Sequence, residues 1–280
     1  MKIKKIKLMV GALVIAMIGA TLTGCGGNKE ENAGAETQTT ISISGSTSVG
    51  PLMLKVQEKY EAENKDVTLE VQENGSGAGI KDVINGVSEI GMSSRELKSE
   101  EASQVDGTVI AHDGIALLVN PANKVKNITL EEVKGIYTGK ITNWKELGGT
   151  DSPIVVISRE EGSGTRDAFQ EIVDYKSEEL IKDATIADGS GAVKTAVAGN
   201  ENAIGFASFE FIDDSVAALK VNDVEATADN VKAGQYKLSR PYLLITKKDS
   251  LTEAGTALIE YVLSTEGQQI VKDNKLITLE

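Results

Sequence analysis

Arg159 is followed by Glu160, Glu161, Gly162, Ser163, Gly164 and Thr165. A guanidinium presents a planar fork of donors that fits two oxygens of a tetrahedral oxyanion. Glu161 is placed to hold that fork from behind, although a surface Arg–Glu pair of little energetic weight has the same pattern. Three more segments repeat the small polar part of this stretch: Gly45-Ser46-Thr47-Ser48, Gly75-Ser76-Gly77-Ala78-Gly79 and Met92-Ser93-Ser94-Arg95. Gly189-Ser190-Gly191 is a fifth of similar chemistry. Each follows a strand-like run and precedes a helix-like run. Glycine permits close backbone approach, hydroxyls donate, and a helix start supplies unpaired N–H groups at the positive end of its dipole. Together these make an anion cradle. The same serines also suit plain N-caps, and Ser93 with Glu96 has the spacing of a capping box.

Catalytic alternatives fail on residue type. The Gly45–Gly50 spacing of a phosphate loop continues with Pro51 and Leu52, where lysine and a hydroxyl residue are needed. Gly75-Ser76-Gly77 lacks the third glycine of a dinucleotide fingerprint. No serine sits in Gly-x-Ser-x-Gly. One cysteine and one histidine exclude a cysteine zinc cluster and any two-imidazole site, so no metal or other cofactor is expected. His112 reads as a partly exposed strand residue. The 42 acids against 29 basic residues leave a net charge of −13, which argues against nucleic acid as a partner.

The elements that must position these loops alternate between strand and helix. Residues 41–44, 67–71, 109–120, 153–158, 203–207 and 242–246 read as strands. Ile80, Val83, Ile84 and Val87 mark a helical face, as do Phe169, Ile172 and Val173, then Val193, Ala196 and Val197, then Leu258, Tyr261 and Val262. Thr129 with Glu132 is a capping box. The alternation predicts an α/β fold with largely parallel sheets. Two buried strands, 115–119 and 242–246, bracket a central segment. The expected lobes are residues 41–118 with 242–280, and 119–241, with a ligand cleft between them.

The first 24 residues read as an address. Lys2, Lys4, Lys5 and Lys7 precede an uncharged apolar stretch, and Leu22-Thr23-Gly24-Cys25 ends it. This resembles a bacterial lipobox, which implies cleavage before Cys25 and a lipid on that cysteine. Residues 25–40 lack large apolar side chains and read as a flexible tether. Losing residues 1–24 removes four lysines and no acid, which takes the net charge from −13 to −17.

The ordered set of loops resembles the phosphate-binding proteins of Pst-type ABC importers (the PstS family). Supporting stretches are Gly139-Lys140-Ile141-Thr142-Asn143-Trp144, Leu147-Gly148-Gly149 and Asn202-Ala203-Ile204-Gly205-Phe206. The resemblance implies a two-lobed periplasmic-binding-protein-like fold (type II) whose lobes are joined by hinge strands and close over inorganic phosphate. It implies a lipid-anchored monomer on the extracytoplasmic face of the cell membrane, which delivers phosphate to permease subunits powered by cytoplasmic ATPases and is not an enzyme. Carried over by position, it places Thr47, Ser48, Ser76, Arg159, Ser163, Gly164 and Thr165 at the anion, with Glu161 as the acidic partner of the arginine.

One position departs. The family commonly has an aspartate after the serine of the third loop, where its carboxylate accepts the proton of hydrogen phosphate. Here Ser94 stands there, followed by Arg95. The expectation is that Ser94 and Arg95 both contribute donors, with Asp113 or Glu161 as acceptor or counter-charge. The missing carboxylate keeps sulfate or molybdate open as ligands. A phosphatase-like enzyme and a surface adhesin are more distant rivals.

Overall fold

The computed structural model describes residues 38–279; the signal segment, Cys25 and the tether up to residue 37 lie outside the described residues. The chain begins with β1 (Thr39–Gly45), α1 (Gly50–Glu63), β2 (Val67–Glu73), α2 (Ser76–Asn85), β3 (Ile90–Ser93), a single turn α3 (Ser99–Ala102) and the long β4 (Val105–Val119). It continues through β5 (Asn127–Ile128), α4 (Leu130–Tyr137), β6 (Val155–Arg159), α5 (Gly164–Val173), β7 (Thr185–Ala187), α6 (Ser190–Ala198) and β8 (Ala203–Ser208). β9 (Ala217–Ala218), β10 (Lys220–Val221), α7 (Ala228–Lys232), β11 (Ser239–Lys247), α8 (Glu253–Leu263) and α9 (Thr265–Asp273) complete it.

The strands order as β2-β1-β3-β11-β4-β8-β6-β7, with β9 also on β4, and β5 pairs separately with β10. Pairing is parallel at the two flanks (β1 with β2 and β3; β6 with β7 and β8). It is antiparallel through the middle, where β11 meets β3 and β4, and β4 meets β8. The expectation of largely parallel sheets thus holds only for the flanks. Thr39 and Thr40, expected in the tether, are already paired with Val67 and Thr68. Val87 lies beyond the left-handed Gly86 cap of α2 and is 69% exposed, so it is not part of that helix's buried face.

Apolar side chains divide into two main cores. One gathers Ile41, Leu52, Val56, Ile110, Ala111, Tyr242 and Leu258; the other gathers Ile115 to Val119, Phe169, Val193, Phe206 and Leu238. Residues 115–118, expected with the first lobe, pack in the second core. β4 therefore contributes to both cores, and Leu238 of the second core directly precedes β11, whose Tyr242 and Leu244 lie in the first. Between them, Asp113 and Arg240 stand opposite each other on the paired strands, both buried, with Nη2 donating to Oδ2 at 3.0 Å. Ser208 donates to the other Asp113 oxygen at 2.8 Å. Gly114 is forced by its neighbour: a Cβ there would lie 2.0 Å from the Phe209 ring.

Glu210 borders this pair. Its Oε2 accepts from the Tyr242 hydroxyl at 3.4 Å, and its buried Oε1 has no partner. Burial, reinforced by the Asp113 charge, pushes the Glu210 carboxyl well above the ordinary range. A carboxyl raised by folding holds its proton longer in the native state, so its favourable contribution is lost as pH rises above the unfolded value of about 4.3. Glu210→Gln should therefore raise the melting temperature at pH 8 by roughly 2–5 °C, with the gain shrinking toward pH 4.5. Thermal melts across that range check it; a gain independent of pH would refute the account.

Candidate functional site

The small polar loops meet at one place, the cleft between the two cores, because each sits at the carboxyl end of a strand in the central or flanking sheet. β1 ends at Gly45, whose φ of +140° and near contact with the Met92 backbone leave no room for a side chain. The turn that follows carries Thr47 and Ser48 into the start of α1. Gly75 and Gly189 adopt φ of +92° and +90° immediately before α2 and α6, which turns Ser76 and Ser190 to the first position of each helix. In α5, Ser163 caps the helix by accepting from the Arg166 N–H at 3.2 Å, and Gly164 and Thr165 form its first turn. Four helix starts, with the positive ends of their dipoles, are thereby brought to the same space.

Arg159, at the end of β6, is 1% exposed and brings a full charge into this ring of hydroxyls. Its Nε and Nη2 donate to the two oxygens of Glu160, both at 2.7 Å. Its other edge reaches Ser190 Oγ at 2.9 Å and Thr47 Oγ1 at 3.0 Å. Ser48 Oγ joins Thr165 Oγ1 and Ser190 Oγ, each at 2.8 Å. Ser94 N–H donates to Ser76 Oγ at 3.1 Å, and the two hydroxyls are 3.3 Å apart. Gly164 closes the ring, since a Cβ there would lie 2.3 Å from Ser76 Oγ and 2.9 Å from Ser94 Oγ. The backbone also bridges the cleft, Gly77 N–H donating to Gly162 carbonyl at 3.0 Å.

Thr47, Ser48, Ser76, Ser94, Arg159, Gly164 and Thr165 are therefore brought together, with Ser163 as the cap behind them. Four expectations change. The acidic partner of Arg159 is Glu160, not Glu161, because the residue directly after the strand can fold its carboxylate back along the guanidinium. Glu161 is exposed at the mouth of the cleft. Burial alone would raise the Glu160 carboxyl, but the Arg159 hydrogen bonds overcome that and hold it below the usual range. Glu160 also accepts from Gly189 N–H, so it ties the arginine to the start of α6.

Asp113 serves no loop of the ring; both its oxygens are taken by Arg240, Ser208 and the Phe209 N–H. Arg95 is likewise committed elsewhere. Its terminal nitrogens hold Glu101 at 2.7 and 2.8 Å, and its Nε lies 3.0 Å from Asp167. Ser93 does not cap a helix: its hydroxyl donates to the Arg95 carbonyl, and the next helical turn starts only at Ser99. Ser190 is the residue left off the expected site. The Gly-Ser-Gly signal before a helix was visible, but nothing in sequence tied it to Arg159, 31 residues away.

Chemically, the ring combines hydroxyls, which donate or accept, with helix N–H groups and one guanidinium already balanced by a carboxylate. Such a set is suited to hold an anion by contact dipoles; no group of three or more His, Cys, Asp or Glu that could hold a metal ion occurs among the described residues.

Comparison with known proteins agrees with this geometry. A family model described as a PBP superfamily domain matches residues 30–266. The phosphate-binding protein PstS of Bacillus subtilis (strain 168) is 34% identical over 289 residues, covering 99% of this chain and 95% of that protein. A candidate phosphate ABC transporter substrate-binding protein from Clostridium perfringens, solved by X-ray crystallography with bound phosphate, is 56% identical. It aligns with a TM-score of 0.85 over 86% of this chain and 100% of its own. An ABC-type phosphate transport receptor from Vibrio cholerae aligns with a TM-score of 0.73 at 36% identity, over 85% of this chain and 99% of that one. The chain belongs to the PBP superfamily and, within it, to the PstS family of phosphate-binding proteins.

Proposed function

We propose that this chain captures inorganic phosphate between two lobes outside the cytoplasm and delivers it to an ABC importer. The observation that carries the reading is the ring itself: four helix starts and six hydroxyl side chains around Arg159, whose charge Glu160 already balances. Relatives named for phosphate binding and transport support the same ligand. The lobes are residues 39–111 with 242–279, and 115–238, and the short stretches between them on β4 and β11 are the hinge. Closing brings Thr47, Ser48, Ser76 and Ser94 against Arg159, Gly164, Thr165 and Ser190, a hinge motion that wraps the anion. The work is binding and release without turnover of the ligand.

Cys25 carries the lipid that holds the mature protein at the outer face of the cell membrane, as a monomer. No helix among the described residues is long and apolar enough to cross a membrane. A Cys25→Ser variant should therefore leave the membrane fraction for the medium, with the mass of the wild-type mature protein exceeding its peptide mass by that of a lipid. Fractionation and intact mass spectrometry read both.

A second reading follows from one observation. Every carboxylate near the ring is committed to a cation or lies outside it, so none faces the anion to repel a sulfate. Serine and threonine hydroxyls accept the proton of hydrogen phosphate instead, and discrimination against sulfate or molybdate is weaker than a carboxylate provides. Calorimetry with phosphate, sulfate and molybdate between pH 5 and 9 ranks them, and sulfate tighter than phosphate would replace phosphate as the ligand.

Two substitutions test the ring. Gly164→Ala should cost roughly 100-fold or more in phosphate affinity, since the new methyl group overlaps Ser76 Oγ. Arg159→Gln should cost about 100- to 1,000-fold, the loss typical of a buried charged hydrogen-bond partner. Unchanged phosphate binding in either folded variant contradicts this site.

The mature charge of −17 repels an approaching anion at long range, although the ring acts at contact. Phosphate association should accelerate as salt is added. A stopped-flow rate that falls with salt would mean that the cleft's own field governs the encounter.

A further inference from the structure

Asp167 lies in the first turn of α5, two residues beyond Thr165, and its carboxylate reaches across the cleft to the other lobe. Its Oδ2 is 3.0 Å from Arg95 Nε and 3.3 Å from Lys98 Nζ. The two cations follow Ser94 on the segment between β3 and α3. We propose that Asp167, with Arg95 and Lys98, forms an ion latch across the cleft that sets how tightly and how long the closed form holds its anion. The proposal rests on reading the cleft as an anion-capture site.

The partners of Arg95 separate the latch from ordinary surface pairing. Its terminal nitrogens bond Glu101 and the Glu96 carbonyl, both within its own lobe. Those bonds survive any opening of the cleft. Nε has no partner within its own lobe, and the contact it makes is the ion pair with Asp167 at 3.0 Å. The contacts of Asp167 with Arg95 and Lys98 exist only while the lobes are together. Arg95 is thus a cation positioned by Glu101 from within its own lobe and met by a carboxylate from the opposite lobe.

Position in the chain couples the latch to the ring. Arg95 adjoins Ser94, and Asp167 shares a helical turn with Gly164 and Thr165. The same movement that closes the ring on an anion makes the latch. A contact present only in the closed state adds to ligand affinity without touching the ligand, chiefly by slowing release. The latch borders a cleft of about 590 Å³ that Glu161 and Lys81 also line. With Asp167 28% and Lys98 53% exposed at the side chain, water moderates its strength, and it remains openable.

The test uses the mature protein as wild type, Asp167→Asn and Lys98→Gln. Asp167→Asn is expected to raise the phosphate Kd roughly 5- to 30-fold, nearly all of it in the dissociation rate. Lys98→Gln is expected to raise it roughly 2- to 4-fold. Added salt should speed phosphate release from the wild type and leave release from Asp167→Asn nearly flat. Small-angle scattering without ligand should find Asp167→Asn more expanded than the wild type. Equal dissociation rates, equal salt dependence and equal scattering would overturn the latch. A wild type that binds no phosphate, with the ligand-free scattering still different, would sink the capture reading and keep the latch.

Discussion

A buried guanidinium that is already half neutralised is the constraint on which the rest of the site depends. Arg159 enters the cleft from the end of β6 with one edge clamped by Glu160. An unpaired charge at 1% exposure would be very costly, so the arginine requires its carboxylate. That pairing leaves little net charge at the site, and on the proposed reading an anion is then held by oriented neutral groups. Hydroxyls and helix N–H groups supply them, which is why glycines precede three of the helices and why the helices start at the strand ends. The acidity of the chain is compatible with this because a dipole at contact distance is scarcely affected by distant carboxylates in salt water.

The middle of the molecule obeys a related rule. Two apolar cores share β4, β11 begins where the second core ends, and the point where the chain passes from one core to the other is polar: Asp113 opposite Arg240. An apolar pair there would fuse the two cores into one and resist bending between them. A buried ion pair with directional hydrogen bonds keeps the cores separate while satisfying the charges. Glu210 and Tyr242 extend that polar seam from the two sides.

The fold and most of the ring were legible in the sequence because they rest on local signals. Strand periodicity, Thr129 with Glu132, and Gly-Ser steps before helices each declare themselves within a few residues, and each element exists. What escaped depends on direction and distance. Glu160 and Glu161 are equal by type, and only the backbone turn after β6 decides which one folds over Arg159. Ser190 belongs to the ring because the start of α6 meets the Thr47–Ser48 turn that precedes α1, a contact across 142 positions. Arg95 sits next to a ring residue, yet Glu101 and Asp167 draw its side chain away. The seam pairing of Asp113 with Arg240 spans 127 positions, beyond any local pattern.

Ser94 shows how far such a ring can be altered. Its hydroxyl lies 3.3 Å from Ser76 Oγ and would be 2.9 Å from any Cβ at Gly164. A longer side chain pointing the same way would press on the start of α2 and on the start of α5. The residue at this position is therefore tied to the packing of both helix starts, and exchanging it alters the walls of the pocket as well as its chemistry.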